Sequence, residues 1–220
     1  MNENRIYVSG DGSHSIISGR FGESYHSRFG AIQESKHVFI KQGLLYRSKS
    51  IDSIRILEFG FGTGLNAALT WQFALAHPEK TIYYSGLENY PISVSMAVKL
   101  NYPTLLGLPN FISLHESQWG QEEKISTNFY FAKSKRDFGD VHSDSSYDLI
   151  YYDPFAPDCQ PELWKPNMLK LVLKVMARSG IFVTYCAKGA FRRALLEVGF
   201  DVEKLPGPPG KREMLRATRA

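Results

Sequence analysis

The chain has 220 residues, of which 43% are hydrophobic and 22% charged, and its formal net charge is +4. This length suits one well-buried domain and is short for two. No apolar run approaches the roughly 20 residues of a membrane-spanning helix, and the first residues lack the pattern of a secretion signal. Two distant cysteines, Cys159 and Cys186, form no disulfide framework or zinc motif, so we expect a protein of the reducing cytoplasm.

The first 50 residues differ in composition from the remainder. Glycines and polar residues dominate them, and a helical pattern follows at residues 31–41. Because this stretch carries too little apolar material for a core of its own, we expect residues 1–50 to form an N-terminal cap or hairpin. Residues 51–220 are predicted to form the main domain.

From residue 54 onward, short apolar runs alternate with helical patterns, which is typical of βαβ units and a mostly parallel sheet. Residues 101–128 contain many Pro, Gly and Asn residues, which predicts loops with one short helix. The last two runs, separated by a Pro- and Gly-rich turn, predict an antiparallel pair. The sequence therefore predicts an α/β, Rossmann-like fold with a seven-stranded, mostly parallel sheet and an antiparallel C-terminal strand. The predicted strands are 54–59, 81–87, 129–135, 147–152, 180–186, 200–205 and 213–218, and the predicted helices 65–76, 92–100, 169–177 and 190–198.

A glycine-rich turn follows the first of these strands, at residues 58–66 (EFGFGTGLN). Without Cβ atoms, the backbone turns tightly and approaches a ligand closely. The third glycine comes one residue too early for a dinucleotide fingerprint, and an acid at Glu58 would repel pyrophosphate. Both features favour S-adenosylmethionine. Glu58 would accept hydrogen bonds from its ammonium group, and Glu88 would accept hydrogen bonds from its ribose hydroxyls. The alternative is a structural turn that binds no ligand. The predicted cofactor residues are Glu58, Gly60, Gly62, Thr63, Gly64, Asn66 and Glu88, with Asp137 at the adenine end and Asp153 beyond the fourth strand.

The fourth strand is followed by residues 153–157 (DPFAP). Ligands of open α/β sheets bind outside the carboxyl ends of the strands, so this loop is expected to face the glycine turn. An acid-Pro-aromatic loop resembles that of amino-group methyltransferases, in which a carboxylate orients the target nitrogen. We predict Asp153 and Phe155 as catalytic residues, with Tyr152 and Phe155 burying the amine. In the alternative interpretation, Asp153 only caps a proline-rich turn.

Further segments extend the resemblance over nearly the whole chain. In order, these are 23–27 (ESYHS), 34–39 (ESKHVF), 159–164 (CQPELW), 184–189 (TYCAKG) and 207–215 (GPPGKREML). Together with the glycine turn and the DPFAP loop, they resemble the methyltransferase of MnmC-type tRNA-modifying enzymes, in the free-standing form without an FAD oxidase domain. The family's bifunctional members tend to have glycine where this chain has Pro154. The resemblance implies a class I S-adenosylmethionine-dependent methyltransferase that N-methylates 5-aminomethyl-2-thiouridine at the tRNA wobble position.

The resemblance also implies tRNA as partner, a substrate role for Glu34, and neither a metal nor FAD. From Arg178 to Ala220 the chain carries nine Lys and Arg against four Asp and Glu, a balance of +5. Such a segment is typical of a phosphate-binding surface, although a solvated face has the same composition. Nothing in the sequence demands more than a monomer. The predicted tRNA contacts are Lys188, Arg192, Arg193, Lys211 and Arg212.

Two other functions share these features. A methyltransferase acting on DNA adenine or on a protein amine would use the same acid-Pro-aromatic loop. A non-catalytic nucleic-acid-binding module would keep the fold and the basic segment without binding the cofactor.

Overall fold

The computed structural model describes residues 3–141 and 146–219. One mixed sheet of eight strands and a separate two-stranded hairpin make up its β-structure in these ranges. The strands are β1 (Arg5–Val8), β2 (His14–Ile17), β3 (Ser53–Phe59), β4 (Thr81–Glu88), β5 (Glu122–Ser126), β6 (Phe129–Lys135), β7 (Tyr147–Tyr152), β8 (Met176–Thr184), β9 (Phe200–Pro206) and β10 (Glu213–Arg219).

Helices connect these strands and cover the sheet. Residues 36–44 form a π-helical stretch between α1 and α2, and two 3-10 turns lie at Phe138–Asp140 and Pro161–Trp164. The α-helices are α1 (Ala31–Ser35), α2 (Leu45–Arg47), α3 (Leu65–Ala76), α4 (Val94–Ala97), α5 (Tyr102–Leu106), α6 (Ser113–Glu116), α7 (Pro166–Val175) and α8 (Gly189–Glu197).

The large sheet has the strand order β5-β6-β4-β3-β7-β8-β10-β9. Its five central strands, from β6 to β8, are parallel. The strand β10 runs antiparallel between β8 and β9, which confirms the predicted antiparallel C-terminal strand. Since β3, β4 and β7 are parallel neighbours, the loops that follow them meet at one edge of the sheet.

In the described residues the sheet has one strand more than the seven predicted. Strand β5 pairs antiparallel with β6 at the sheet edge, within the stretch predicted to be loops. Four of its five residues are polar and none is buried, so the strand lacks the apolar run that marks a central strand. The same stretch also holds two short helices, α5 and α6, instead of one.

Two predicted helices differ in length from those of the structure by five residues or more. The second helix covers only Val94–Ala97 instead of 92–100, and the Ser93 side chain caps its start by accepting a hydrogen bond from the Met96 amide. The N-terminal helix continues past residue 41 to Arg47 through the π-helical stretch. By contrast, α3 spans the predicted residues 65–76.

Apolar side chains pack on both faces of the sheet. Residues Ile56 and Tyr151 belong to one buried cluster, and Leu57 and Tyr152 to the other, as the alternation of a strand requires. The N-terminal helix packs on the first face, where the Phe39 ring lies 5.1 Å from that of Tyr151. No helix in the described ranges is long and apolar enough to cross a membrane.

Candidate active site

The turn after β3 depends on its glycines. Gly60, Gly62 and Gly64 have φ values of 95°, 52° and 75°, a region that other residues rarely adopt. A Cβ atom on Gly60 would lie 2.7 Å from the carbonyl oxygen of Asp153. One on Gly62 would lie 3.0 Å from the ring of Tyr25. The glycine turn therefore touches both the loop after β7 and the N-terminal segment.

A buried amide connects the two acids at the ends of β3 and β7. The Asn66 Nδ2 atom donates to Glu58 Oε1 at 2.8 Å and to Asp153 Oδ2 at 2.9 Å. Tyr84 donates to the second oxygen of Glu58 at 2.6 Å. Burial raises the pKa of Glu58 to about 8. Burial, followed by the negative charges of Glu58 and Glu34, raises the pKa of Asp153 well above its ordinary value.

Glu88 ties the end of β4 to the glycine turn. Its Oε2 accepts a hydrogen bond from the Gly62 amide and its Oε1 one from the Tyr90 amide, both at 2.8 Å. The side chain is buried, and burial raises its pKa. The Glu88 carboxylate also lines a cavity between these loops, so it can accept hydrogen bonds from hydroxyl groups of a ligand there.

A cavity of about 310 Å³ opens where these loops meet. The turn after β3, the end of β4, the loop after β7 and the N-terminal segment 21–27 form its walls. Among the predicted site residues, those that line it are Glu34, Gly60, Gly62, Glu88, Asp153, Phe155 and Lys211. The structure thus brings the predicted cofactor turn and the predicted catalytic loop to one cavity.

Other predicted cofactor residues lie outside this lining. Glu58, Thr63 and Asn66 are buried beneath it, and Gly64 begins helix α3. Asp137 is exposed and caps the following 3-10 turn by accepting from the Gly139 amide at 2.8 Å. The predicted contact of these five residues with a cofactor therefore stays a prediction.

The expectation for Tyr152 is wrong. This side chain is fully buried in the core on the opposite face from Tyr151, and its hydroxyl donates to the carbonyl oxygen of Leu163. It therefore cannot bury a substrate amine beside Phe155. The position follows from strand periodicity, because neighbouring side chains of β7 point to opposite faces.

The predicted tRNA contacts separate into two groups. Lys211 lies inside the cavity, where it forms an ion pair with Glu34 and sits 4.0 Å from the Tyr185 ring centroid. Its contact with tRNA stays a prediction. The others are outside the lining: Lys188 pairs with Asp158 at 2.6 Å, Arg192 is half-buried, and Arg193 and Arg212 are exposed.

Sequence reasoning missed the aromatic wall that the N-terminal segment contributes. The Phe155 ring lies 4.7 Å from the ring of Phe21 and 4.9 Å from that of Tyr25. Nearby, His26 is buried and bonded to Ser15 at 2.9 Å, and burial lowers its pKa to about 4. The aromatic-rich segment 21–27 was visible in the sequence, but nothing local in it pointed to a cavity more than 100 residues away in the chain.

Neighbouring side chains hold the DPFAP loop in place. The Phe155 amide donates to Gln160 Oε1 at 3.0 Å, and its carbonyl oxygen accepts from Trp164 Nε1 at 2.9 Å. Tyr185 donates to the carbonyl oxygen of Pro154 at 2.8 Å. These contacts fix the backbone on which Asp153 and Phe155 are presented to the cavity.

Comparisons with known proteins agree with this geometry. Residues 114–220 match the model of a family described as S-adenosyl-L-methionine-dependent methyltransferase. Two curated relatives are named tRNA 5-methylaminomethyl-2-thiouridine biosynthesis bifunctional protein MnmC. The one from Marinomonas sp. (strain MWYL1) is 31% identical over 90% of this chain and 31% of its own length. The one from Aromatoleum aromaticum is 31% identical over 96% of this chain and 35% of its own length. The chain thus spans about a third of the length of these curated relatives.

Solved structures extend the likeness to the fold. MNMC2 from Aquifex aeolicus superposes with a TM-score of 0.81 at 25% identity, over 99% of this chain and 70% of that one. Spermidine synthase from Thermotoga maritima, with a TM-score of 0.58 at 10% identity over 94% and 68%, shares the fold alone. The predicted resemblance to MnmC-type proteins is confirmed, and the chain shares the fold of class I S-adenosylmethionine-dependent methyltransferases.

Proposed function

We propose that this protein methylates the primary amine of 5-aminomethyl-2-thiouridine at the tRNA wobble position. The product would be the 5-methylaminomethyl derivative. The observation that carries the proposal is the contact between the two halves of the site, where the Gly60 Cα lies so close to the Asp153 carbonyl that no side chain fits between them. The names of the MnmC relatives support the choice of acceptor.

The cavity suits S-adenosylmethionine as methyl donor. Gly60 and Gly62 contribute backbone without side chains to its wall, and the Glu88 carboxylate, which also lines it, would accept hydrogen bonds from the ribose hydroxyls. Asn89, Tyr90 and Phe138 line the adjacent wall and offer flat surfaces for an adenine ring. When bound, the cofactor supplies a methyl group already activated on a sulfonium. A negative charge on Glu88 favours a ligand with positive charge.

The residues of the acceptor end orient the amine and handle its proton. An alkyl amine has an ordinary pKa of about 10, so freeing its lone pair near pH 7 costs roughly 4 kcal/mol. Asp153 accepts a hydrogen bond from the nitrogen and directs it, while Phe155 covers the base. Because its own pKa is raised, Asp153 can also hold the proton that the product nitrogen gives up. Burial against the rings of Phe155 and Tyr25 lowers the pKa of the amine.

A nucleic-acid surface next to the cavity is part of the proposal. Arg193 and Arg212 are exposed, and Lys188 is paired only at the surface. Contacts of such residues with phosphates make tRNA affinity fall steeply with salt. A cytoplasmic location and the absence of an obligate protein partner stay predictions.

Nucleoside analysis tests the proposed function. In tRNA from a deletion strain, mass spectrometry should show 5-aminomethyl-2-thiouridine in place of its methylated form, and the purified protein with S-adenosylmethionine should restore it. An unchanged wobble-uridine profile would favour a DNA or protein acceptor. Absence of a thermal shift with S-adenosylhomocysteine would favour a non-catalytic binding module.

A further inference from the structure

The cavity contains several carboxylates and one lysine. Glu23, Glu34, Glu88 and Asp153 line it, and Lys211 is the single lysine or arginine among the described lining residues. Lys211 comes from the loop between β9 and β10, at the opposite end of the chain from Glu34, with which it pairs. A single cation among several carboxyl groups shifts the pKa of the titratable groups around it.

The position of Lys211 is set by contacts on two sides. Its ammonium pairs with the Glu34 carboxylate, which also accepts a hydrogen bond from the Ser27 amide at 2.7 Å. On the other side lies the Tyr185 ring, 4.0 Å away, whose hydroxyl donates to the Pro154 carbonyl oxygen at 2.8 Å. Lys211 therefore stands at the Asp153–Pro154 end of the cavity, where the acceptor nitrogen is proposed to bind.

The other groups facing this end carry no compensating positive charge. His26 is neutral near pH 7, because burial lowers its pKa to about 4, and burial likewise keeps Tyr25 and Tyr185 uncharged. Glu58, behind Asp153, adds negative charge when ionised. Arg212, the neighbour of Lys211, is exposed outside the lining.

We propose that Lys211 is an electrostatic residue of the methyl transfer, whose ammonium promotes loss of the proton shared by the acceptor amine and Asp153. This inference rests on the proposed function. A neighbouring cation favours the neutral amine and the ionised carboxylate, and both changes lower the pH at which the pair loses a proton. Glu34 holds the lysine in place and partly offsets its charge.

The pH dependence of turnover tests this role. The substrate is an RNA hairpin carrying 5-aminomethyl-2-thiouridine at saturating concentration, and kcat is measured from pH 6 to 10 for wild type, Lys211→Met, Lys211→Arg and Glu34→Gln. For Lys211→Met, the midpoint of the acidic limb should rise by about one pH unit, so that kcat falls roughly tenfold at neutral pH and recovers in alkali. Lys211→Arg should keep the midpoint, and Glu34→Gln should lower it.

Lys204→Met is the matched control. This lysine also forms an ion pair, with Glu213 at 2.9 Å, but it lies outside the cavity and is not among the proposed tRNA contacts. Its substitution should leave the kcat midpoint where it is. Opposite shifts for Lys211→Met and Glu34→Gln support the inference. Lys211→Met could be inactive at every pH. In that case the inference is supported if Lys211→Arg keeps its turnover and Glu34→Gln has a lower kcat midpoint.

Three results would overturn the inference. Coincident kcat midpoints for wild type and Lys211→Met, with a KM that is higher and depends less steeply on salt in the variant, would make Lys211 a phosphate contact. Loss of turnover in both Lys211 variants, with folding and S-adenosylhomocysteine binding intact, would show that charge is not the property that matters. A wild-type protein that leaves the hairpin unmethylated would overturn the proposed function itself, whereas the first two results leave that function standing.

Discussion

Removing the amide of Asn66 should impair the chemistry more than the fold. Its Nδ2 atom donates to both Glu58 and Asp153, while its buried Oδ1 has no hydrogen-bond partner. A hydrogen bond to a charged group contributes about 1.5–3 kcal/mol. In Asn66→Ala, Asp153 loses a partner that lowers its pKa and fixes its orientation. We therefore expect kcat for tRNA methylation at pH 7 to fall by about 10- to 100-fold, as about 1.4–3 kcal/mol of barrier implies.

A second buried asparagine provides the control. The Nδ2 atom of Asn128 donates to three backbone carbonyl oxygens, those of Ala74, His77 and Lys80, away from the cavity. Asn128→Ala should lower the melting temperature at least as much as Asn66→Ala and leave kcat near wild type. Turnover, melting temperature and calorimetric affinity for S-adenosylhomocysteine are measured for both variants.

Three results would refute this reasoning. If folded Asn66→Ala keeps kcat within twofold of wild type, the hydrogen bonds of Asn66 to Glu58 and Asp153 do not position Asp153. If instead only cofactor affinity falls, Asn66 is a cofactor ligand, as the sequence predicted. A similar loss of kcat in Asn128→Ala would mean that general destabilisation explains both variants.

Three further predictions follow from the same cavity. Since the pKa of Glu58 is raised from 4.5 to about 8, the ligand-free protein should lose stability as pH rises between these values, and Glu58→Gln should flatten this dependence in thermal melts. If the stability of Glu58→Gln depends on pH as steeply as that of the wild type, Glu58 is not the group that causes this dependence. Asp153→Ala should abolish methylation while calorimetry shows cofactor binding largely intact, and near-normal turnover would refute its role. Gly60→Ala places a methyl group 2.7 Å from the Asp153 carbonyl oxygen and should weaken cofactor affinity at least tenfold, whereas Gly107→Ala, also at positive φ but in open space, should cost only about 1 kcal/mol of stability and no affinity. Equal affinities for the two glycine variants would show that the close approach is not needed.

Local sequence patterns were sufficient for the central sheet and for the two loops that meet at its edge. Buried strands have continuous apolar runs, and parallel strands place their following loops side by side, so the sequence predicts that the glycine turn and the DPFAP loop face each other. The edge strand β5 has no such signal, because four of its five residues are polar and none is buried. The exposed arginines 193 and 212 were also recognisable from composition, although composition does not show what they bind.

What the sequence by itself determined is the α/β order of the elements, the glycine turn and the acid-Pro-aromatic loop, because each is encoded by residues close together in the chain. Only the tertiary structure decided which side chains enter the cavity and which lie beneath it. Lys211 pairs with Glu34, and Phe155 packs against Phe21, across separations of more than 100 residues. Such contacts depend on how the N-terminal segment and the last hairpin fold over the sheet, and no local spacing encodes that arrangement.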